Sequence, residues 1–104
     1  MFNYEIANDT CIIELKSEFT IHELKDLKVI HSDLEEKNIY NIVLDMSSVR
    51  YIDSSGIGFL VKLLKYSKRN SGELKLYSVT EEVKSILRLV NLYSFFSIIE
   101  ELDI

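Results

Sequence analysis

One continuous apolar run, followed by a segment of helical period, constrains this chain most tightly. The run spans residues 39–46 (IYNIVLDM) and is typical of a strand that is buried on both faces of a sheet. An amphipathic helix is predicted after it, because apolar residues recur at i, i+3, i+4 and i+7: Ile57, Leu60, Val61 and Leu64. A buried strand that leads into an amphipathic helix predicts a parallel sheet with right-handed crossovers.

Weaker patterns complete an alternating α/β order. Met1–Ala7 and Thr10–Leu15 have the apolar character of strands, and the turn residues Asn8 and Asp9 between them predict a hairpin. The other predicted elements are a helix from Thr20 to about Lys37, a helix over Ser54–Asn70, a strand over Leu74–Val79, a helix from Thr80 to Asn91, and a short strand or helix within Tyr93–Ile104. The expected fold class is α/β, a mostly parallel sheet of four to five strands with an antiparallel N-terminal edge and helices packed on it.

Several helix ends have specific signals. Thr20 and Glu23 match a capping box, in which the threonine hydroxyl binds the N3 amide and the glutamate reaches back. Ile21, the first residue of that helix, is expected to be buried. Gly72 is expected to end the second helix in a left-handed conformation.

Composition excludes several classes of function. Twelve Lys and Arg against seventeen Asp and Glu give a net charge of −5, which disfavours nonspecific nucleic-acid binding. No apolar run approaches the roughly 18 residues of a membrane span, and residues 1–5 do not resemble a signal peptide, so a cytoplasmic protein without membrane insertion is expected. The single cysteine, Cys11, is expected to fill the core. His22 and His31 are not spaced as a metal pair, and no cofactor, metal or catalytic triad is expected.

Two adjacent hydroxyls, those of Ser54 and Ser55, lie where a strand gives way to a helix. Free backbone amides and the positive end of the helix dipole make such a position suitable for a phosphate. Asp53 can serve as the helix N-cap, as an acid recognised by a kinase, or as both. Ser54 is the expected phosphate acceptor, and Ser55 is its rival or a helix cap whose hydroxyl turns toward the first turn of the helix or toward the sheet. The sequence therefore predicts modification by another protein, not catalysis.

The glycines in this segment do not form a phosphate-binding loop. Gly56 and Gly58 lack the spacing of a Walker or a Rossmann loop. They are expected to keep the surface flat, so that the backbone of a partner can approach.

Residues 42–58 (IVLDMSSVRYIDSSGIG) resemble the core signature of STAS domains, specifically the small stand-alone anti-sigma factor antagonists of bacteria. The likeness extends over nearly the whole chain and implies one STAS domain over residues 1–104. It also implies that Ser54 is phosphorylated by an anti-sigma factor, an ATP-dependent serine kinase that binds the ATP itself, and that a serine phosphatase reverses this. The residues expected to bind the partner are Asp53, Ser55, Gly56, Ile57, Gly58, Thr20 and Glu18.

Residues 17–20 (SEFT) depart from the family, whose members often carry Gly-Glu-Leu-Asp at this turn. Threonine keeps the helix cap but removes a charge near the expected phosphate acceptor, which bears on partner recognition. An alternative function is that of a STAS accessory subunit of a transporter or a signalling scaffold. A hydrolase that uses Ser54 is the least favoured of the three functions.

Overall fold

The protein forms a five-stranded mixed sheet with three α-helices packed on one face, in a computed structural model that describes residues 3–16 and 18–102. The strands are β1 (Asn3–Ala7), β2 (Thr10–Glu14), β3 (Glu18–Phe19), β4 (Asn41–Asp45), β5 (Tyr51–Ile52), β6 (Leu74–Tyr77) and β7 (Ser97–Ile99). The α-helices are α1 (Leu24–Glu36), α2 (Ser54–Arg69) and α3 (Glu81–Leu89), and short 3-10 helices span Ile21–Glu23 and Tyr93–Phe95. The predicted beginning of the first strand, Met1 and Phe2, lies outside the described residues.

The strand order is β1-β2-β4-β6-β7. β1 and β2 form an antiparallel hairpin, whereas the other three pairings are parallel. This confirms the predicted mostly parallel sheet with an antiparallel N-terminal edge. A separate parallel pair, β3 with β5, was not predicted, because strands of two residues are too short to show periodicity.

The helices cover one face of the sheet, and the other face is open. Alternate residues of the central strands, such as Ile42 and Leu44 in β4, join the helices in a single hydrophobic core. Val43 points to the opposite face, where its neighbours by register are Ile12 and Lys75. Val43 is nevertheless only 5% exposed. β4 is therefore buried on both sides as predicted, although none of the helices described in residues 3–16 and 18–102 covers the open side.

Each α-helix ends with a residue in the left-handed conformation: Asn38, Ser71 and Asn91, with φ of 57°, 62° and 61°. In each case the N–H of the next residue bonds back to the last turn, as Leu92 does to the carbonyl of Leu87 at 2.8 Å. This Schellman geometry satisfies carbonyl groups that the helix itself leaves free. It confirms that Asn91 terminates the third helix.

The prediction that Gly72 takes the left-handed conformation is wrong, because Ser71 takes it and Gly72 does not. Gly72 is required for a different reason. A Cβ atom at this position would overlap the backbone carbonyl of Tyr40. The glycine therefore allows the end of α2 to pack closely on the residue that precedes β4.

Candidate functional site

Ser54 is the first residue of α2 and is exposed. One residue, Asp53, separates it from the end of β5, and it lies beyond the carboxyl end of β4 in the chain. Ser55 is only half-buried, and neither hydroxyl forms a hydrogen bond within residues 3–16 and 18–102. The bond expected between Ser55 and the first helical turn or the sheet is thus not formed among these residues. Of the two serines, Ser54 is the more exposed residue.

Asp53 is the N-cap of α2. Its backbone is extended, and one carboxylate oxygen accepts a hydrogen bond from the N–H of Gly56 at 2.9 Å. The other oxygen accepts a bond from the N–H of Ile21 at 3.3 Å. Because the two oxygens bind amides from two helix starts, Asp53 fixes α2 relative to the 3-10 helix that precedes α1.

Thr20 caps that 3-10 helix in a way that differs from the predicted box. Its hydroxyl oxygen accepts from the N–H of His22 at 3.4 Å and donates to the carboxylate of Glu23 at 3.2 Å. The N3 amide, that of Glu23, bonds instead to the backbone carbonyl of Thr20 at 3.0 Å. The prediction is wrong on this point, because a 3-10 turn already satisfies the N3 amide with an i→i+3 bond.

The two glycines of the motif have different surroundings. Gly56 is buried, and a Cβ atom there would overlap the backbone carbonyl of Phe19 in β3 and the side chain of Ile52. Gly58 is exposed and has open space where a Cβ atom would lie. Gly58 therefore lies on the surface, where the flat contact area stays a prediction, whereas Gly56 is buried and allows close packing inside the protein.

The predicted partner-binding residues divide into a surface group and a supporting group. Glu18 is exposed and Ile57 is half-buried beside Ser54, whereas Thr20 is only 7% exposed. The sequence reasoning missed two exposed apolar side chains next to this site, Ile21 at 60% and Tyr51 at 53% exposure. The expectation that Ile21 is buried is wrong. The helical segment starts in 3-10 form, and the N–H of Ile21 turns toward Asp53, so the side chain stays exposed.

The other ionisable residues singled out in the sequence do not form a reactive site. Cys11 is fully buried, and burial raises the pKa of its thiol to about 12, which fits a core residue. His22 is exposed, whereas His31 is packed between α1 and α2 against Phe59 and Tyr66. Within the described residues there is no group of three or more His, Cys, Asp and Glu that could hold a metal ion. Over the same residues, no helix combines the length and apolar character that a membrane span requires.

Comparison with known proteins gives consistent matches. The model of the STAS domain family matches residues 1–103. A candidate anti-sigma factor antagonist of Thermotoga maritima is 32% identical over 93 residues, which cover 88% of this chain and 82% of the relative. The crystal structure of a candidate anti-sigma factor antagonist from the same organism superimposes with a TM-score of 0.86 at 28% identity, over 97% of this chain and 87% of the other. The unphosphorylated form of the anti-sigma factor antagonist SpoIIAA has a TM-score of 0.81 at 18% identity, covers 97% and 90% of the two chains, and supports the fold alone.

Proposed function

The chain belongs to the STAS domain family, and we propose that it is an anti-sigma factor antagonist whose binding is switched by phosphorylation of Ser54. In this function the protein is a binding module and not an enzyme. The names of the relatives from Thermotoga maritima support the general function. The observation that carries the proposal is the position of Ser54, which is exposed, without a hydrogen-bond partner among the described residues, and first in an N-capped helix.

The proposed cycle takes place in the cytoplasm and needs two partners. Unphosphorylated protein binds an anti-sigma factor serine kinase, which holds the ATP, and a sigma factor is released. The kinase then transfers the γ-phosphoryl group of ATP to the Ser54 oxygen: the new O–P bond replaces the bond to the β-phosphate, ADP leaves, and the hydroxyl proton passes to the kinase. A serine phosphatase later hydrolyses the phosphoserine with water and releases inorganic phosphate. An exposed hydroxyl at a rigid helix start suits this transfer, because in-line attack on a phosphoryl group depends on accurate positioning of the oxygen.

Phosphorylation would change the interface without unfolding the domain. A phosphoserine adds about 1.5 to 2 negative charges at neutral pH. The helix start tolerates that charge because of its dipole. The phosphate would lie next to the carboxylate of Asp53, which is held in place by hydrogen bonds from two backbone N–H groups. The result is a concentrated negative charge that a docked kinase surface would have to desolvate, and this weakens binding.

The residues around Ser54 would have two functions. Glu18, Ser55, Ile57 and Gly58 would contact the kinase, and Thr20, Asp53 and Gly56 would hold the contact surface in position. Thr20 lacks the charge that family members often have at this turn. A carboxylate is still present nearby, because that of Glu23 lies 3.2 Å from the Thr20 hydroxyl. We propose that Glu23 supplies the negative charge that the kinase recognises here.

The proposal is tested by measuring binding to the anti-sigma factor serine kinase of the same organism by isothermal titration calorimetry with ADP. Ser54→Ala is expected to bind as tightly as the parent, and Ser54→Asp at least about tenfold more weakly. Ser85→Asp is a matched control, because Ser85 is also an exposed helical serine but lies on α3. A Ser54→Asp protein that stays folded and binds as tightly as the parent would contradict the proposal.

A further inference from the structure

The outward face of α2 carries a row of cations that begins two turns after Ser54. Ser54, Gly58, Lys62, Lys65 and Arg69 follow one another at steps of four, four, three and four residues, so they share one face of the helix. All five are exposed. At a rise of about 1.5 Å per residue, the row extends about 22 Å from Ser54. We term the four exposed cations of this helix, Lys62, Lys65, Lys68 and Arg69, the α2 basic stripe.

The stripe stands out against the charge of the whole protein. α2 contains four of the twelve Lys and Arg residues and none of the seventeen Asp and Glu residues, in a chain of net charge −5. None of the four cations forms an ion pair within residues 3–16 and 18–102. By contrast, Lys37, Arg50 and Lys84 each lie within 4 Å of a carboxylate. The stripe is therefore a concentrated and unneutralised positive surface.

Helix stability accounts for only half of the stripe. Lys68 and Arg69 lie in the last turn of α2, where cations interact favourably with the helix dipole. Lys62 and Lys65 lie earlier, beyond the range of that effect. No acidic residue lies three or four positions away within α2 to pair with them. Neither the helix dipole nor an ion pair within α2 therefore explains the positive charges of Lys62 and Lys65.

We infer that the α2 basic stripe binds an acidic surface of the same serine kinase that would modify Ser54. This inference rests on the proposed function. The stripe lies on the same helix face as Ser54, and Gly58 between them has no side chain that would separate two docking surfaces. Complementary charge raises the rate of diffusional encounter and fixes the orientation of docking. A local acidic patch on a protein fits best, because an extended polyanion such as RNA or an anionic membrane would meet the net negative charge of the rest of the chain.

The stripe and the serine would control different steps of binding. Eleven residues separate Ser54 from Lys65, which corresponds to about 16 Å along the helix and exceeds the Debye length of about 8 Å at physiological salt. A phosphate on Ser54 therefore does not neutralise Lys65. The stripe governs how fast the kinase arrives, and the state of Ser54 governs how long it stays.

The test compares association rates with the purified kinase in the presence of ADP by stopped-flow fluorescence at low and high salt. Lys62→Glu/Lys65→Glu is expected to slow association at least about tenfold at low salt, with the difference shrinking at high salt. Lys28→Glu/Lys75→Glu is the matched control. It changes the net charge of the protein by the same amount as Lys62→Glu/Lys65→Glu, but on α1 and on the open face of the sheet. Thermal unfolding establishes that both variants are folded.

The outcomes separate this inference from the proposed function. If the parent does not bind the kinase at all, the proposed function fails and the stripe inference fails with it. If the parent binds and Lys62→Glu/Lys65→Glu associates equally fast, or the control slows by the same factor, only the stripe inference is wrong. Binding of the parent to phosphatidylglycerol vesicles or to a single-stranded RNA, lost in Lys62→Glu/Lys65→Glu while kinase association is unchanged, would assign the stripe to that other partner.

Discussion

The carboxylate of Asp53 accepts a hydrogen bond from the backbone N–H of Ile21 at 3.3 Å, across 32 residues of sequence. Its second oxygen accepts from the N–H of Gly56 at 2.9 Å. One side chain thus ties the start of α2, which carries Ser54, to the start of the helical segment before α1. The segment that carries Glu18 and Glu23 and the start of α2, both proposed to meet the kinase, are held together at this point.

Replacement of Asp53 is expected to destabilise the domain. Asp53→Ala removes both hydrogen bonds and should lower the free energy of unfolding by about 1–2 kcal/mol, as the loss of an N-cap does. Asp53→Asn should lose less, because asparagine still offers one oxygen to the N–H of Gly56. Urea unfolding measures both effects. A loss below about 0.3 kcal/mol for Asp53→Ala would show that the cap is not needed for stability.

The two glycines of the motif should respond in opposite directions to the same substitution. Gly56→Ala forces a Cβ atom against the carbonyl of Phe19 and should destabilise by about 1–3 kcal/mol. Gly58→Ala meets open space in a helix and should stabilise by about 0.5–1 kcal/mol. The comparison uses chemical denaturation of the two variants under identical conditions. Equal effects of the same sign would mean that α2 does not approach β3 as described.

Leu44 of β4 and Leu60 of α2 are both fully buried in the single core. Truncation of either to alanine should lower the free energy of unfolding by about 2–5 kcal/mol through lost burial and a residual cavity. Leu89→Ala is the control, because Leu89 is 83% exposed and should change stability by less than about 0.5 kcal/mol. Urea melts with a loss below about 1 kcal/mol for both core variants would contradict this placement of the core.

His31 should make stability depend on pH. Burial among Phe59 and Tyr66 lowers the pKa of its imidazole, and the nearby charge of Lys62 acts in the same direction, while that of Glu35 opposes both. Nε2 has no hydrogen-bond partner among the described residues, and the Glu35 carboxylate lies 3.6 Å from it. The folded state therefore favours the neutral ring. In the unfolded chain the imidazole takes up a proton near pH 6.5. The contribution of the neutral His31 to the free energy of unfolding is therefore fully present above about pH 6.5, and it is lost as the pH falls through the lower pKa of the folded state.

The measurement is the free energy of unfolding from pH 5 to 8 for the parent and His31→Gln. The difference between them should shrink on acidification, by at most about 1.4 kcal/mol per pH unit for one proton. A constant difference between the parent and His31→Gln over the whole range would show that His31 does not titrate differently in the two states.

Ser54 should be the phosphate acceptor and Ser55 should not. Ser54 is exposed, whereas Ser55 is half-buried one residue further into the helix, where its oxygen is displaced from the position of Ser54. Incubation with the kinase and ATP, followed by tandem mass spectrometry, should find phosphate on Ser54 alone. Ser54→Ala should then not be labelled, and Ser55→Ala should be labelled normally. Phosphate on Ser55, or undiminished labelling of Ser54→Ala, would overturn the assignment.

Sequence patterns predicted the fold because the main elements are long or strongly apolar. The parallel sheet follows from the alternation of buried strands and amphipathic helices, each of which buries several residues. β3 and β5 were missed because two residues cannot define a period. The left-handed residue after α2 was assigned to Gly72 on intrinsic preference, whereas the close approach of Tyr40 decides the position of the glycine.

The candidate site was predicted in part. Asp53 as N-cap follows from local chemistry, since aspartate before a helix favours that geometry. Its bond to Ile21 depends on tertiary structure that no local pattern encodes, and so does the packing of Gly56 on Phe19. The basic stripe is visible in the sequence as a cluster. Its alignment with Ser54 and its lack of paired carboxylates required the structure.

The register of the sheet also constrains how quickly the domain can assemble. Thr10 pairs with Asn41, Ile42 with Leu74, and Lys75 with Ser97, so each parallel pairing joins segments that are distant in the chain. Among the described strands, only β1 and β2 pair through a short turn. The chain loses conformational entropy by closing a long loop before any parallel contact can stabilise it. This topology therefore has an intermediate contact order, and it folds more slowly than a helical bundle of equal length. A newly made chain therefore has to bring distant segments together before Ser54 is placed at the start of a rigid helix.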